Sequence, residues 1–395
     1  MDISRIPALT WAARQVARAN VRRLDVPLKI NFAVTYRCQY RCKTCNIWTR
    51  RPDGELSTDE ILQFVRTTSG VSWLDVTGGE IFLRRDIGEL LEAFAGSWRQ
   101  LVLLHFPTNG FLTDRIVRVC ERLAARRGPQ IVVTVSLDGD ETLNDEVRGI
   151  RGGYRRQIET FRALRPLRGI RPVFGMTLSA FNAGRFEETF RACQRDCPGL
   201  DIADFHLNVA QRSQHYYGNA DDGGVLPSPH DVVRELRVYR SMRRFPRTPA
   251  DWLEAEYLRR LETYVETGRP PMRCHSLRSS CFIDPFGTVF PCITYTRPLG
   301  SLRETGMNLG RIWKAAGTAR VQSEIWEGRC PQCWTACEAY QSILGNLARP
   351  WDRTPRPHRP ESDGHGALIP IERPGAAAVS AGPPDVEPAI TARQS

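Results

Sequence analysis

The stretch KINFAVTYRCQYRCKTCNIW (residues 29–48) runs a strand-like segment straight into three cysteines placed within eight positions. Its first half, KINFAVTY (29–36), is rich in β-branched and aromatic residues and reads as a strand. Cys38, Cys42 and Cys45 follow as C-x3-C-x2-C, with Arg37, Arg41 and Lys43 threaded around them. A strand that ends in a cluster of metal-ligating side chains is the pattern of a parallel α/β protein, where ligands gather at the C-terminal ends of the strands.

The segments that follow support this architecture. Strand-like runs recur at WLDVTG (73–78), LVLLHFPTNG (101–110), IVVTVSLDG (131–139), PVFGMTLS (172–179) and IADFHLNV (202–209). Amphipathic stretches lie between them: STDEILQFVR with Ser57 or Thr58 as cap, RRDIGELLEAF, TDRIVRVCERLA with Thr113 as cap, YRRQIETFRALR and GRFEETFRACQR. Strands spaced by helices in this way predict parallel crossovers. Six units are too few for a closed eightfold barrel, so the expected fold is α/β, an open partial (β/α)6 TIM-like barrel with a small C-terminal cysteine-rich β-hairpin/helix module. Polar residues fall at the end of each early strand: the cysteines after the first, TGGE after the second, TNG after the third and SLDG after the fourth.

A chain of 395 residues suits one large domain with an appendage. Expected segments are a basic N-terminal helix in 1–28, with its helical pattern from about Ala8 to Leu24, the barrel over 29–210 and a helical connector over 211–273. A cysteine-rich module over 274–346 and a Pro-rich, disordered tail over 347–395 complete the chain. Apolar runs are strand-length, well short of the roughly 18 residues of a membrane span. The N-terminus lacks the apolar stretch of a secretory signal. Twelve cysteines without such a signal point to metal or redox chemistry in a reducing cytoplasm rather than to a disulfide framework. The net charge of +11 is almost all arginine, since Lys29, Lys43 and Lys314 are the only lysines. It reads as solvated arginine faces and predicts no nucleic-acid partner. The basic first helix is the one place suited to peripheral membrane contact.

Three thiolates can hold a 4Fe-4S cluster and leave one iron for an outside ligand, although the same triplet, taken alone, also fits a zinc site or three buried thiols. The spacing after a first strand resembles the radical S-adenosylmethionine (radical SAM) superfamily over roughly residues 29–210. The resemblance implies that S-adenosyl-L-methionine chelates the open iron and is cleaved reductively to a radical that abstracts a substrate hydrogen, with an electron donor such as flavodoxin or ferredoxin. Thr77, Gly78, Gly79 and Glu80 match the motif that holds the cofactor's methionine amine, with Glu80 suited to an ammonium group. Asn109, Ser136 and Asp138 at the next strand ends suit ribose hydroxyls or the carboxylate, though Asx turns explain Asn109 and Asp138 nearly as well. Arg148 reaches either that carboxylate or only a helix face. One departure is Thr44, where the superfamily usually has an aromatic residue; Trp48 or Tyr40 are candidates to replace it.

The second cysteine group comprises Cys274, Cys281, Cys292, Cys330, Cys333 and Cys337 around a hairpin with Gly287 at its turn. It resembles the SPASM/twitch module, which implies one auxiliary 4Fe-4S cluster. Cys274, Cys292, Cys330 and Cys333 fit the twitch spacing best, Cys337 is the main rival, and Cys281 is a possible strand-facing thiol; zinc knuckles are the alternative. Cys120, Cys193 and Cys197 read as core or surface thiols. The loop after the sixth strand offers His206, Asn208, His215, Tyr216, Tyr217 and Asn219 as substrate-binding candidates. Together these features predict a radical SAM oxidoreductase acting on a small molecule or peptide, by alcohol dehydrogenation or peptide modification. The alternatives are a radical enzyme forming carbon–carbon bonds in lipid or cofactor biosynthesis, and a non-catalytic zinc protein. No catalytic acid or base is identified.

Overall fold

The computed structural model describes residues 5–243, 245–246 and 248–353, so most of the expected tail lies outside the described residues. After α1 (Ile6–Ala19), strands and helices alternate: β1 (Lys29–Thr35), α2 (Thr58–Thr67), β2 (Trp73–Gly78), α3 (Ile87–Ser97), β3 (Leu103–Thr108), α4 (Thr113–Ala124) and β4 (Gln130–Ser136). The barrel continues through α5 (Glu141–Arg148), α6 (Gly153–Leu164), β5 (Ile170–Leu178), α7 (Phe186–Asp196) and β6 (Phe205–Val209). Two connector helices follow, α8 (Pro229–Met242) and α9 (Pro249–Thr267). The last part holds β7 (Ser280–Ile283), β8 (Thr288–Phe290), β9 (Gly300–Ser301), α10 (Leu309–Lys314), α11 (Ala316–Trp326) and α12 (Ala336–Gly345).

All six expected barrel strands form, in the order β6-β5-β4-β3-β2-β1, and every pair among them is parallel. β6 is an edge and does not bond back, so the barrel is open. Its outer face carries the core: Ile30, Phe32 and Val34 of β1 join Leu74, Val76, Leu104 and Phe106 against the helices, with Phe32 edge-on to Phe64 and Phe94. Cys120, Cys193 and Cys197 are buried in this core. The sheet does not stop at the barrel. β7 pairs parallel with β1, and the hairpin β7–β8 extends it, turning at Gly287 with φ 85° while Asp284 accepts from the backbone of Phe286 and Thr288.

Two expected helix boundaries differ. Ser57 caps α2 in a reciprocal capping box with Glu60, but Thr113 is the first residue of α4 rather than its cap, and its hydroxyl bonds Thr160 at 2.7 Å. α1 ends at Ala19 rather than near Leu24, because residues beyond it are held by the C-terminal module: Leu24 N bonds Arg278 O, and Asn20 Nδ2 bonds Leu344 O. Among the described residues no helix is long and apolar enough to cross a membrane.

Candidate functional site

The cysteine loop leaves β1 under tight backbone control. Glu55 accepts from Tyr36 N at 2.6 Å and from the Thr35 hydroxyl, fixing the exit from the strand. The end of β2 then lies along it: Gly79 N bonds Thr35 O and Glu80 N bonds Arg37 O, both at 2.8 Å. Only glycine permits this approach. A Cβ on Gly78, which has φ 134°, would sit 2.1 Å from Thr35 O, and one on Gly79 2.2 Å from Arg37 O. Further anchors are Asn46 N to Tyr217 O, Lys43 N to Val147 O and Asn219 Nδ2 to Thr44 O. The three cysteines are half-buried. Burial pushes Cys38 up to about 11 and Cys45 up to about 12, and raises Cys42, so thiolates here call for a cationic partner.

The strand ends around the loop separate into groups with full and with incomplete hydrogen bonding. Glu80 is 1% exposed, and its carboxylate accepts from Asn109 N (2.6 Å), Phe82 N (3.1 Å) and the Thr108 hydroxyl (3.0 Å). Burial pushes it up to about 7 despite those donors. Through these bonds Glu80, the residue expected to meet an ammonium group, also locks β2 to β3 and fixes the backbone of the glycine pair. Asp138 is likewise engaged, by Thr177 N (2.9 Å) and by Arg148 Nη1 (2.6 Å), and does not present a free carboxylate to a ribose. Arg148 does not lie on a helix surface. It is buried, stacked over Tyr40 at 5.3 Å; burial would lower it, but Cys42 and Asp138 outweigh burial and raise it.

Around these residues three buried polar atoms have no partner: Asn109 Nδ2, Gln39 Oε1 and Arg148 Nε. Such orphans are costly unless a ligand completes them. Together with the half-buried Ser136 and the close-approach glycines they form a polar cradle beside three thiols, which fits a polar cofactor held on a cluster. Thr77 is less free, since its hydroxyl bonds Tyr216 Oη at 2.8 Å. Of the candidates to replace the missing aromatic residue, Tyr40 is fully buried with its hydroxyl on Asn109 O, and Trp48 turns to the surface under Arg41.

The candidates in and after β6 divide the same way. His206 and Asn208 lie on β6 itself and are half-buried. His215 lies in the loop beyond: its ring bonds Thr296 Oγ1 and Cys292 O at 3.0 Å, and burial pushes it down to about 4. Asn219 is held by Ser213 N, Gln211 O and Thr44 O. Both are expected substrate contacts, and in this structure their side chains brace the loop against neighbouring segments. Tyr216 is buried against the TGGE strand, whereas Tyr217 is half-buried beside it.

An interior network went unread in the sequence. Lys29, Trp73, Asp75, His105 and Thr134 alternate with core residues on β1 to β4. Asp75 receives Lys29 Nζ (2.9 Å), Trp73 Nε1 (2.6 Å) and His105 Nδ1 (3.0 Å), and His105 Nε2 lies 2.8 Å from Thr134 Oγ1. α12 enters from the cysteine module and extends the network: Cys337 O accepts from Lys29, Glu338 reaches Asn31 and Ser280, and Tyr340 stacks on Trp73 at 5.7 Å. Tyr340 Oη and His206 Nδ1 both bond Glu254 of α9. Two imidazole–carboxylate pairs, His105–Asp75 and His206–Glu254, thus stand in the barrel interior beside the rings of Trp73, Tyr257 and Tyr340. The signal was available, since polar residues at every second position of strands otherwise buried mark an inward face.

In the module, Cys274, Cys292, Cys330 and Cys333 line one cavity with Ser276, Thr294 and Gln332. Thr294 Oγ1 lies 3.3 Å from Cys292 Sγ and 3.4 Å from Cys333 Sγ, and Ser276 N donates to Cys274 Sγ. Gln332 turns the chain between Cys330 and Cys333 with φ 53°. Cys337 does not line this cavity and packs with Cys38 and Cys45 around Tyr216 and Phe282; Cys281 is buried on the opposite face of β7. Among the described residues no three His, Cys, Asp or Glu side chains close around one point for a single ion. A four-iron cube instead binds each thiolate through its own iron.

Residues 32–193 match the radical SAM superfamily, and residues 274–334 match the SPASM iron–sulfur cluster-binding domain. The antilisterial bacteriocin subtilosin biosynthesis protein AlbA of Bacillus subtilis (strain 168) is 23% identical over 322 residues, covering 79% of this chain and 64% of AlbA, so the chain spans less than two thirds of that relative. Mycofactocin maturase MftC of Mycobacterium ulcerans (strain Agy99) is 25% identical over 329 residues, covering 78% of this chain and 81% of MftC. Streptococcus suis SuiB bound to S-adenosylmethionine superposes with a TM-score of 0.55 at 15% identity, over 87% of this chain and 79% of SuiB. SuiB bound to its precursor peptide SuiA gives 0.53 at 15% identity, over 87% and 78%. These likenesses establish the open-barrel fold.

Proposed function

Because the chain belongs to the radical SAM superfamily and carries an SPASM iron–sulfur module behind its barrel, we propose that it is a peptide maturase that oxidises its substrate in the chamber between the two cysteine sites. S-Adenosylmethionine and 4Fe-4S clusters are its cofactors, and when bound they supply a carbon radical able to take hydrogen from an unactivated C–H bond. Cys38, Cys42 and Cys45 hold the first cluster. The Gly78–Gly79 backbone, Asn109, Ser136 and Arg148 hold the cofactor, while Glu80 and Asp138 keep that cradle in place. Cys274, Cys292, Cys330 and Cys333 hold the auxiliary cluster, with Cys337 left as a thiol of the chamber wall.

The observation that carries this reading is α12. It starts three residues after Cys333 and reaches the barrel interior within one turn, so the auxiliary site and the chamber share a wall. His206, Asn208 and Tyr217 line the chamber toward the substrate. His105, backed by Asp75 and touching Thr134, holds the proton that leaves the substrate on oxidation. Relatives named for bacteriocin and mycofactocin maturation support a peptide over a small alcohol. The oxygen-sensitive cofactors suit a reducing cytoplasm.

The test is anaerobic reconstitution with dithionite, S-adenosylmethionine and a panel of synthetic precursor peptides. Wild type is expected to form 5′-deoxyadenosine and a peptide lighter by two hydrogens. Cys42→Ala forms neither, and Cys333→Ala forms 5′-deoxyadenosine without oxidised peptide. Dehydrogenation of a small alcohol with every peptide unchanged would overturn the peptide assignment.

A further inference from the structure

The arginine-rich surface is not uniform. On the outer helices cations sit beside acids: Arg122 and Arg126 on Glu92, Arg237 and Arg240 on Glu262, and Arg303 on Glu60. Such paired faces are the ordinary outcome of an arginine-rich composition. The cysteine loop differs. Residues 37–52 carry Arg37, Arg41, Lys43, Arg50 and Arg51 with no Asp or Glu among them. Among the described residues only Lys43 of these five makes an ion pair, with Glu146 at 2.6 Å.

Their side chains face outward. Arg37, Arg41, Lys43 and Arg51 are exposed and Arg50 is half-buried across the Tyr36 ring. Trp48, 38% exposed, lies 5.5 Å from the Arg41 guanidinium and adds an apolar platform beside it. The cysteines alternate with these cations and turn to the other side, where Cys38 and Cys45 pack with Tyr216, Tyr217 and Phe282. A single layer of chain therefore separates this basic surface, whose acids are Glu146 on Lys43 and the exposed Asp53 beyond Arg51, from the first cluster site.

We propose that this face is the docking surface of an acidic protein that carries one electron at a time. The inference rests on the radical reading above, which requires one electron at this loop for each reductive cleavage. An acidic peptide substrate is the other anionic occupant to weigh, but a peptide must reach the chamber behind the loop, whereas the electron must reach the loop itself. Clustered charge of one sign steers an oppositely charged partner and raises its association rate by about 10- to 1,000-fold at low salt. Salt screens that attraction over roughly 10 Å.

The experiment uses cluster-loaded protein and follows loss of the cluster's visible absorbance after mixing with reduced flavodoxin, an acidic flavoprotein, at low and at high salt. Wild type is expected to slow at least about tenfold on raising salt. Arg41→Glu/Arg51→Glu is expected to slow by about tenfold or more at low salt and to lose most of the salt dependence. Reduction by dithionite, a small anion that needs no docking, reports whether the variant still folds and holds its clusters, and stays within about threefold of wild type; Arg41→Gln/Arg51→Gln gives an intermediate flavodoxin rate. Equal flavodoxin rates in wild type and variants would overturn the proposal. So would loss of binding to an acidic synthetic peptide with the flavodoxin rate unchanged, which assigns the face to substrate. Failure of dithionite-reduced wild type to form 5′-deoxyadenosine would instead overturn the radical reading, and the absorbance traces would still decide the docking.

Discussion

Replacing Lys29 by Met tests how firmly charge holds the cysteine module to the barrel. Lys29 is 1% exposed; its Nζ pairs with Asp75 Oδ2 at 2.9 Å, donates to Cys337 O at 2.9 Å and lies 4.4 Å from the Trp73 ring centroid. Met keeps the stem and removes the charge, leaving a buried carboxylate. Breaking a buried pair from one side costs about 3–5 kcal/mol. Asp75 still has Trp73 Nε1 and His105 Nδ1, which places the loss at the lower end, and the Cys337 carbonyl keeps Gln341 Nε2 as a donor. The loss, about 3 kcal/mol, is a large part of a stability of roughly 5–15 kcal/mol. Its pH dependence has a definite sign. Burial pushes Asp75 up, but Lys29 and then His105 outweigh it and hold the carboxyl well below its usual range. A depressed carboxyl contributes stability above its unfolded value and loses it only as pH falls through the depressed one, so wild type keeps this contribution from neutrality down to about pH 4. In Lys29→Met the burial effect loses its larger counterweight and keeps only His105, so protonation of Asp75 relieves the variant and the deficit narrows as pH falls. Urea unfolding of the metal-free protein at about pH 8 and about pH 5 measures both. Lys29→Met/Asp75→Asn, with no charge left to bury, should recover about half the loss. A deficit under about 1 kcal/mol at both pH values, or a double variant no better than the single, would refute the reasoning.

Three further outcomes follow from the site. Alanine at Cys274, Cys292, Cys330 or Cys333 should lower the reconstituted iron content from about eight to about four per chain, while Cys281→Ala and Cys337→Ala keep about eight; a Cys337→Ala protein lacking four irons would reassign the auxiliary ligands. Gly79→Ala places a Cβ 2.2 Å from Arg37 O and should cost about 3 kcal/mol or more by displacing the cysteine loop, read as lowered melting temperature and lost iron; wild-type values of both would show that β2 and the loop separate freely. His105→Gln should leave 5′-deoxyadenosine formation intact while lowering peptide oxidation about 100-fold, and an unchanged ratio of the two products would remove His105 from proton transfer.

The barrel was legible because its signals are local. Strand runs, the helix cap at Ser57 or Thr58 and the polar strand ends each lie within a few residues, and all six parallel strands form where those runs stand. The resemblance to the twitch module also singled out Cys274, Cys292, Cys330 and Cys333, which line one cavity. What escaped depends on residues far apart in the chain. Glu80 offers a free carboxylate on paper, yet Thr108 and Asn109 of the next strand's end, 28 and 29 residues away, occupy it. His215 and Asn219 have the chemistry of ligands, and their partners, Cys292 and Thr44, lie 77 and 175 residues distant. The inward face was missed for a different reason: Lys29, Asp75 and His105 are single polar residues in apolar runs, and only their repetition at every second position gives them a common direction.

The sheet explains why the cysteine module is more than an appendage. Its β7 pairs with β1 from Lys29–Ser280 to Phe32–Ile283, and β1 is the strand whose end carries the first cysteine triplet. The two cysteine sites are therefore referenced to the same strand by backbone hydrogen bonds, which hold position better than a flexible tether. α12 adds the second constraint from the other side: Lys29 binds Cys337 O, and Tyr340 stacks on Trp73. With β7 fixing the module at the outer edge of β1 and α12 fixing it inside the barrel, the auxiliary site has little freedom to move relative to the chamber. The proposed oxidation would hand its electron to the module across this junction and needs such rigidity, because the handoff distance is then set by the fold rather than by the arrival of the substrate.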